Sequence, residues 1–268
     1  MLPRNPALRM VRFIWGADPM YRDRTSPVAI LRLVMVAGGL YAIAACLVTY
    51  WSPWNRAYQY YFRSFGDVVF SQFWLRPHAS VRFLDLDSPT LIGDIRSAAL
   101  PHTLPAGFPI PERDQIQDTL MVLKNTGLDH PGIGLLRTSS RPIGYWPTVM
   151  IVALALATPW EWKRRRWVIV WGFALTHVFI AARLSIFLLK GGFADASKSF
   201  RLFDWSGYWF GKLKAVDEVI NDDPAINFIM PVVVWMVVVI AMDLWRSRRE
   251  NAAASPGRTR RRLYRSRL

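Results

Sequence analysis

Three residues in apolar stretches of the sequence carry side chains that could do chemistry: Cys46, His177 and Arg183. A thiolate is a nucleophile, an imidazole is a common general base, and a guanidinium can stabilise developing negative charge. Ionisable groups are costly inside a membrane, so residues of these types within an apolar segment are candidates for function. Together the three would suit an intramembrane thiol hydrolase or transpeptidase.

Each of these residues also has a structural interpretation. A lone buried cysteine packs like a small apolar residue, and no motif typical of a reactive thiol surrounds Cys46. His177 and Arg183 are six residues apart and do not share a face of a straight helix well. They could form a polar centre between helices or simply hydrogen-bond neighbouring helices. The structural interpretation is favoured over catalysis. The sequence shows no metal-ligand cluster or phosphate-binding loop, and we expect no metal and no cofactor.

Four apolar segments approach or reach the roughly 20 residues needed to cross a bilayer core. They are residues 28–51, 143–160, 167–189 and 226–245. The chain is 52% hydrophobic and yet carries a net charge of +15, a combination that soluble domains rarely show. The sequence therefore predicts a mainly α membrane protein with four transmembrane helices.

Cations are concentrated in three segments outside these helices, residues 1–27, 161–166 and 246–268, which hold 18 of the 34 lysines and arginines. The other two connections, residues 52–142 and 190–225, carry 14 cations and 14 acids. Basic residues are retained on the cytoplasmic side of bacterial membranes. We expect a multi-pass protein of the bacterial cytoplasmic (inner) membrane with both termini in the cytoplasm.

The connection of residues 52–142 is long enough to form a small periplasmic domain between the first two helices. Residues 80–87 and 118–125 alternate like half-buried strands, and residues 132–141 form a third extended stretch, so the domain is predicted to be β-rich. Its aromatic-rich start is predicted to lie along the membrane as an amphipathic helix. Residues 190–225 are predicted to form a second, amphipathic periplasmic loop.

Two groups of charged residues receive simple interpretations. Asp243, one turn from the cytoplasmic end of the fourth helix, is expected to pair with Arg246. The basic tail is expected to contact anionic lipid through Arg260, Arg261 and Arg262, at about 1 kcal/mol per basic residue near the surface. Membrane lipid is thus a predicted partner. The sequence shows no fold that recognises nucleic acid, and we expect the protein to bind no nucleic acid.

Polar and turn-forming residues are concentrated directly before the second helix. We call Asp118, Arg141, Gly144, Tyr145 and Pro147 the collar. The Tyr145 hydroxyl or the Arg141 guanidinium is expected to contact a carboxylate of the outer domain, such as Asp118. The collar would then join the outer domain to the second helix, or else face a partner protein, and the sequence leaves both interpretations open.

This region resembles a known family. The segment 118–125 ("DTLMVLKN"), the collar residues that follow it and the helix end at 156–159 ("LATP") are similar to the exosortase-associated membrane proteins of Gram-negative bacteria, of the exosortase H-associated type. The resemblance implies an accessory protein that docks to a partner membrane protein, an exosortase, in protein sorting or envelope export. A structural subunit of a larger membrane complex is the remaining alternative. The chain departs from exosortases themselves, since it has too few predicted helices and Cys46 lies outside their motif.

Overall fold

A computed structural model describes residues 27–71, 78–98, 117–127, 132–195, 201, 203 and 205–254. The described chain is mainly helical and contains one small three-stranded sheet, as the sequence predicted. The basic segment of residues 1–26 and the proposed lipid contacts Arg260, Arg261 and Arg262 lie outside the described residues.

Among the residues that the structure describes, three helices are long and apolar enough to cross a membrane. They are α1 (Pro27–Tyr50), α5 (Trp162–Leu188) and α7 (Ile226–Ala254), which overlap three of the four predicted segments. Their lengths of 24, 27 and 29 residues exceed the roughly 20 needed for a bilayer core.

The segment predicted as a fourth transmembrane helix is shorter. A π-helical turn, Arg141–Tyr145, leads into α4 (Trp146–Ala157), where Thr158 ends the helix with an extended backbone (ψ 127°). The combined stretch Arg141–Ala157 would be about 25 Å long at roughly 1.5 Å per residue, which is less than a bilayer core of about 30 Å. That this segment crosses the membrane therefore stays a prediction.

The sheet is formed by β1 (Ala79–Asp85), β2 (Thr119–Asn125) and β3 (Gly132–Thr138). The strands are antiparallel in the order β1–β2–β3. These bounds overlap the two alternating stretches, residues 80–87 and 118–125, and the third extended stretch, residues 132–141. A short helix, α3 (Leu91–Ala98), follows β1 and covers one face of the sheet.

The central strand β2 is buried on both faces, which explains its nearly continuous apolar sequence. On one face Leu120 and Val122 pack against α3. On the other face Met121 and Leu123 pack against α5 and against α2 (Ser52–Phe70), the helix predicted from the aromatic-rich segment. The sheet is therefore held between α3 and the helices.

Three further helical elements complete the described chain. α5 continues as a second π-helical turn, Leu189–Phe193. α6 (Gly207–Asp217) continues as a third, Glu218–Asp222, which precedes α7. α6 lies within the connection of residues 190–225 that was predicted to be amphipathic.

The cations at the start of α5 and near the end of α7 lie at one end of the bundle, and the sheet lies at the other. Arg164, at the start of α5, forms an ion pair with Asp243, near the end of α7. Asp243 therefore forms an ion pair, as expected, but with Arg164, because antiparallel packing brings a cation of α5 to this carboxylate. We call the end with Arg164 and Asp243 the basic end, and the opposite end the sheet end.

Candidate functional site

Arg183 is fully buried, with an exposed fraction of 0%, near the sheet end of α5. Its Nε donates a hydrogen bond to Asn221 Oδ1 at 3.0 Å. Its Nη1 donates to Asn227 Oδ1 at 2.5 Å and to the Pro142 carbonyl at 3.3 Å. A buried guanidinium is costly unless its N–H groups are bonded, so these three acceptors are what allow the charge to stay inside the bundle.

The network continues from Asn221 to a buried ion pair. Asn221 Nδ2 donates to Asp217 Oδ1 at 2.7 Å, and the other oxygen of Asp217 accepts a bond from Lys190 Nζ. Asp217 is only 1% exposed. We call Arg183, Lys190, Asp217, Asn221 and Asn227 the polar centre. Its two cations and one carboxylate leave it with one net positive charge.

Each of the three π-helical turns contributes one group to the polar centre. The Pro142 carbonyl comes from the first turn, Lys190 from the second and Asn221 from the third. A π turn widens the backbone spacing and leaves carbonyls without their usual α-helical donors, and such turns are frequent at functional sites. Arg183 Nη2 has no hydrogen-bond partner among the described residues. The polar centre is the strongest candidate site within the apolar helices.

His177 is joined to α2 and to its own helix. Its Nδ1 lies 2.8 Å from the Phe173 carbonyl, an acceptor, which assigns the hydrogen to Nδ1. Its Nε2 then accepts a hydrogen bond from the Tyr61 hydroxyl at 2.6 Å. Phe65 of α2 lies edge-on against the imidazole, with ring centroids 5.1 Å apart. Both ring nitrogens are therefore engaged: the bond at Nδ1 fixes the ring on α5, and the bond at Nε2 holds α5 against α2.

The structure does not bring Cys46 together with His177 and Arg183. Cys46 is exposed on α1. None of the hydrogen bonds that His177 and Arg183 form with the described residues involves it. The three side chains therefore do not form a nucleophile and base pair of the kind a thiol enzyme needs.

Within the collar, Asp118 bonds to Ser140 instead of the expected Arg141 or Tyr145. Its Oδ1 accepts from the Ser140 backbone N–H at 2.9 Å, and its Oδ2 accepts from the Ser140 hydroxyl at 2.6 Å. Gln59 of α2 donates a longer bond of 3.4 Å to Oδ2. The carboxylate thus joins the start of β2 to the residue before the first π turn.

The other polar collar residues bond to α1 and α2. Arg141 Nε donates to Asn55 Oδ1 at 3.3 Å. The Tyr145 hydroxyl donates to the Ala44 carbonyl at 2.7 Å and accepts from Trp54 Nε1 at 3.0 Å. Tyr145 is 1% exposed, so its hydroxyl requires such partners. These bonds tie the beginning of α4 to the end of α1 and the beginning of α2.

Gly144 allows the closest approach between the collar and α2. A Cβ atom at this position would lie 2.5 Å from the Tyr58 hydroxyl and 2.9 Å from the Phe62 ring, closer than real Cβ contacts. Pro147 is buried in the first turn of α4 and has no N–H to donate to a carbonyl of the preceding π turn. The collar therefore acts as an intramolecular junction.

Sequence reasoning missed the neutral residues that complete both sites, Ser140, Asn55, Asn221 and Asn227. Only two of them carried a signal that could have been used. Ser140 is a small polar residue just before a Pro-containing helix start, and Asn227 is a polar residue inside an apolar segment. Their partners come from distant parts of the chain and could not be named from spacing.

Within the described ranges no group of three or more His, Cys, Asp or Glu residues could hold a metal ion. The fold and the sites define a helix-rich protein with three helices suited to a membrane and a small sheet fixed to one end. No protein-family model, curated protein or solved structure matches the chain. The function is therefore argued from the geometry.

Proposed function

We propose that the chain is a non-catalytic accessory protein of the bacterial cytoplasmic membrane that docks to a partner membrane protein. The observation that supports this best is that the buried polar side chains form hydrogen bonds within the chain itself. Arg183, His177 and Asp118 each bond across to other elements of the same chain. Such bonds hold the sheet and the helices in one fixed arrangement, which suits a protein that presents a surface to a partner.

In this proposal four helices cross the membrane, with α4 as the shortest. Ile151 and Ala155 of α4 are fully buried among neighbouring helices, and a short helix inside a bundle is covered by protein along its length. The cations of residues 163–166 lie at the basic end. The positive-inside rule then places the basic end in the cytoplasm and the sheet in the periplasm.

Helix α1 offers the docking surface in this proposal, because the rest of the chain covers it least. In the most apolar part of α1, 6% of the residues are buried inside the protein, compared with 39% in the corresponding part of α5. Among the described residues of α1 only Ala37 and Val48 are buried, and Gly39, four residues before Ile43, has open space in front of it. Helices associate in lipid through close packing at small residues, so a helix of the partner can approach this face.

The class of partner is suggested by the resemblance of residues 137–189 to exosortase-associated membrane proteins. It supports an exosortase, or another membrane protein of protein sorting and envelope export, as the partner. A structural subunit of a larger complex would show the same contacts and differ in stoichiometry.

Photo-crosslinking in native membranes tests the docking. A crosslinking amino acid at Ile43, which is 61% exposed on α1, is expected to trap one partner protein. The matched control is Ile240 on α7, 45% exposed, which is expected to trap only lipid. Protein adducts from Ile240 and none from Ile43 would contradict docking through α1. The absence of adducts from both positions would contradict the proposed function itself.

Cysteine labelling tests the topology separately. In a Cys46→Ala background, Ser88→Cys is expected to react with a membrane-impermeant maleimide in intact cells once the outer membrane is made permeable. Lys163→Cys is expected to react only after lysis of the inner membrane. The reverse pattern would overturn the orientation. Full cellular function of the Cys46→Ala protein would also exclude the thiol-enzyme alternative.

A further inference from the structure

An apolar groove lies between α5 and α7 at the basic end, away from the proposed docking surface on α1. Its volume is about 520 Å³, within the size range of small-ligand sites. Its walls are two stripes at four-residue spacing, formed by Trp167, Trp171 and Leu175 on α5 and by Val237, Ala241 and Trp245 on α7.

Both stripes continue into cations. Lys163 lies four residues before Trp167, and Arg249 lies four residues after Trp245, so each is on the same helix face about 6 Å beyond the groove wall. The Arg249 guanidinium is 3.8 Å from the centre of the Trp245 ring. Among the described residues neither Lys163 nor Arg249 has a carboxylate partner.

The nearby carboxylate does not cancel this charge. Asp243 lies on α7 close to the end of the groove, but it is paired with Arg164. The groove is therefore apolar along its length and positive at its mouth. This arrangement is complementary to an acyl chain that carries an anionic headgroup, and tryptophan side chains favour the same interfacial depth.

The charge at the mouth favours a lipid over an apolar helix as the occupant. Each stripe spans nine residues, a rise of about 12 Å at roughly 1.5 Å per residue, which an extended acyl chain can follow. The phosphate at the end of such a chain would lie beside Lys163 and Arg249, whereas an apolar helix offers these cations no counter-charge.

We propose that the groove binds an acyl chain of an anionic phospholipid, and that Lys163 and Arg249 contact the lipid phosphate. The inference rests on the proposed topology, because it places the basic end at the cytoplasmic leaflet. It assigns a specific lipid site to the helices, separate from the general lipid contacts expected of the basic tail.

Lipid titration of the full-length chain in neutral detergent, followed by native mass spectrometry, tests the headgroup contact. Phosphatidylglycerol is expected to bind more tightly than phosphatidylcholine with the same acyl chains. Lys163→Gln with Arg249→Gln is expected to lower phosphatidylglycerol affinity about 25-fold, at about fivefold per cation. The control, Lys212→Gln with Lys214→Gln on α6, removes the same charge near the sheet end and should leave affinity unchanged. Equal affinities for the two lipids, or an equal loss in the control, would overturn the proposal.

A second pair of variants tests the acyl chain. Ala241→Phe fills the groove and is expected to lower phosphatidylglycerol affinity at least tenfold, whereas Ile240→Phe, one residue away on the outer face of α7, should not. The Ala241→Phe protein could instead bind lipid as before and lose a crosslink to another protein. That result would show that the groove holds a segment of a partner protein and would overturn the lipid assignment.

A measurement on the wild-type chain does not depend on whether the variants fold. Phosphatidylglycerol with brominated acyl chains is expected to quench the tryptophan fluorescence of the wild-type chain more than brominated phosphatidylcholine does at the same mole fraction. Equal quenching would count against the site. If the crosslinker on α1 traps no protein but the chain still prefers phosphatidylglycerol, the docking proposal is contradicted and the lipid site is supported.

Discussion

Ser140 donates two hydrogen bonds to Asp118, one from its backbone N–H at 2.9 Å and one from its hydroxyl at 2.6 Å. The pair connects the sheet to the helices at the point where the chain leaves β3 for α4. The arrangement of the two parts of the molecule therefore depends on a carboxylate and a serine that are 22 residues apart in sequence.

Asp118→Ala is expected to lower the free energy of unfolding by about 2 kcal/mol, because hydrogen bonds to a charged acceptor contribute about 1.5–3 kcal/mol. Ser140→Ala, which removes only the hydroxyl bond, is expected to cost about half as much. Unfolding in mixed micelles measures both. Because the two residues share a bond, the double variant should lose less than the sum of the single losses. Strict additivity would contradict the pairing.

Gly144→Ala is expected to destabilise the chain by about 1–3 kcal/mol, the usual cost of overpacking. The added methyl group would meet the Tyr58 hydroxyl and the Phe62 ring of α2. Gly38→Ala on α1 is the matched control, because nothing lies within 4 Å of its added Cβ. Thermal unfolding in detergent compares the two variants, and equal losses would refute the close approach at the collar.

Arg183→Met is expected to cost about 3 kcal/mol, because it leaves buried acceptors on Asn221 and Asn227 without their donor. Arg183→Lys is expected to recover only part of this loss, since an ammonium group cannot reproduce the planar set of hydrogen bonds that a guanidinium donates. The exposed Arg166→Met serves as the control and should change stability little. A fully stable Arg183→Met protein would show that the polar centre does not hold α5 to α7.

Alkaline pH is expected to destabilise the packing of α2 through Tyr58. Burial raises the pKa of Tyr58 well above its usual value of about 10, and burial also raises the pKa of Tyr61. A raised folded-state pKa means that the stabilisation is complete below about pH 10 and is lost as pH rises further. Tyr58→Phe should reduce the loss of stability above pH 10, measured by unfolding at fixed pH. The same slope in Tyr58→Phe and in wild type would contradict this role.

Much of the secondary structure follows from local patterns. The long apolar runs predicted α1, α5 and α7, because a helix in a membrane needs an apolar surface over its whole length. Alternation predicted β1 and β2 for a similar local reason. The shorter α4 illustrates the limit, since Pro147 and Pro159 mark its ends in the sequence but do not show whether it crosses.

The candidate residues were easier to predict than their partners. Asp118 and Arg183 stood out by type and position, but Asp118 bonds to Ser140 and Arg183 to Asn221 and Asn227. Asp243 pairs with Arg164 although Arg246 is closer in sequence. Spacing along one helix cannot reveal a partner on another helix.

The sequence by itself determined which segments are apolar, where cations concentrate, and which stretches form strands, since these properties depend on residue type and short-range periodicity. Tertiary structure alone decided that Cys46 is apart from the partners of His177 and Arg183, that the collar is an internal junction, and that α5 and α7 form a groove with cations at its mouth. The physical reason is that hydrogen bonds and packing are short-range in space, whereas partners such as Asp118 and Ser140, or Ala44 and Tyr145, are 22 and 101 residues apart along the chain.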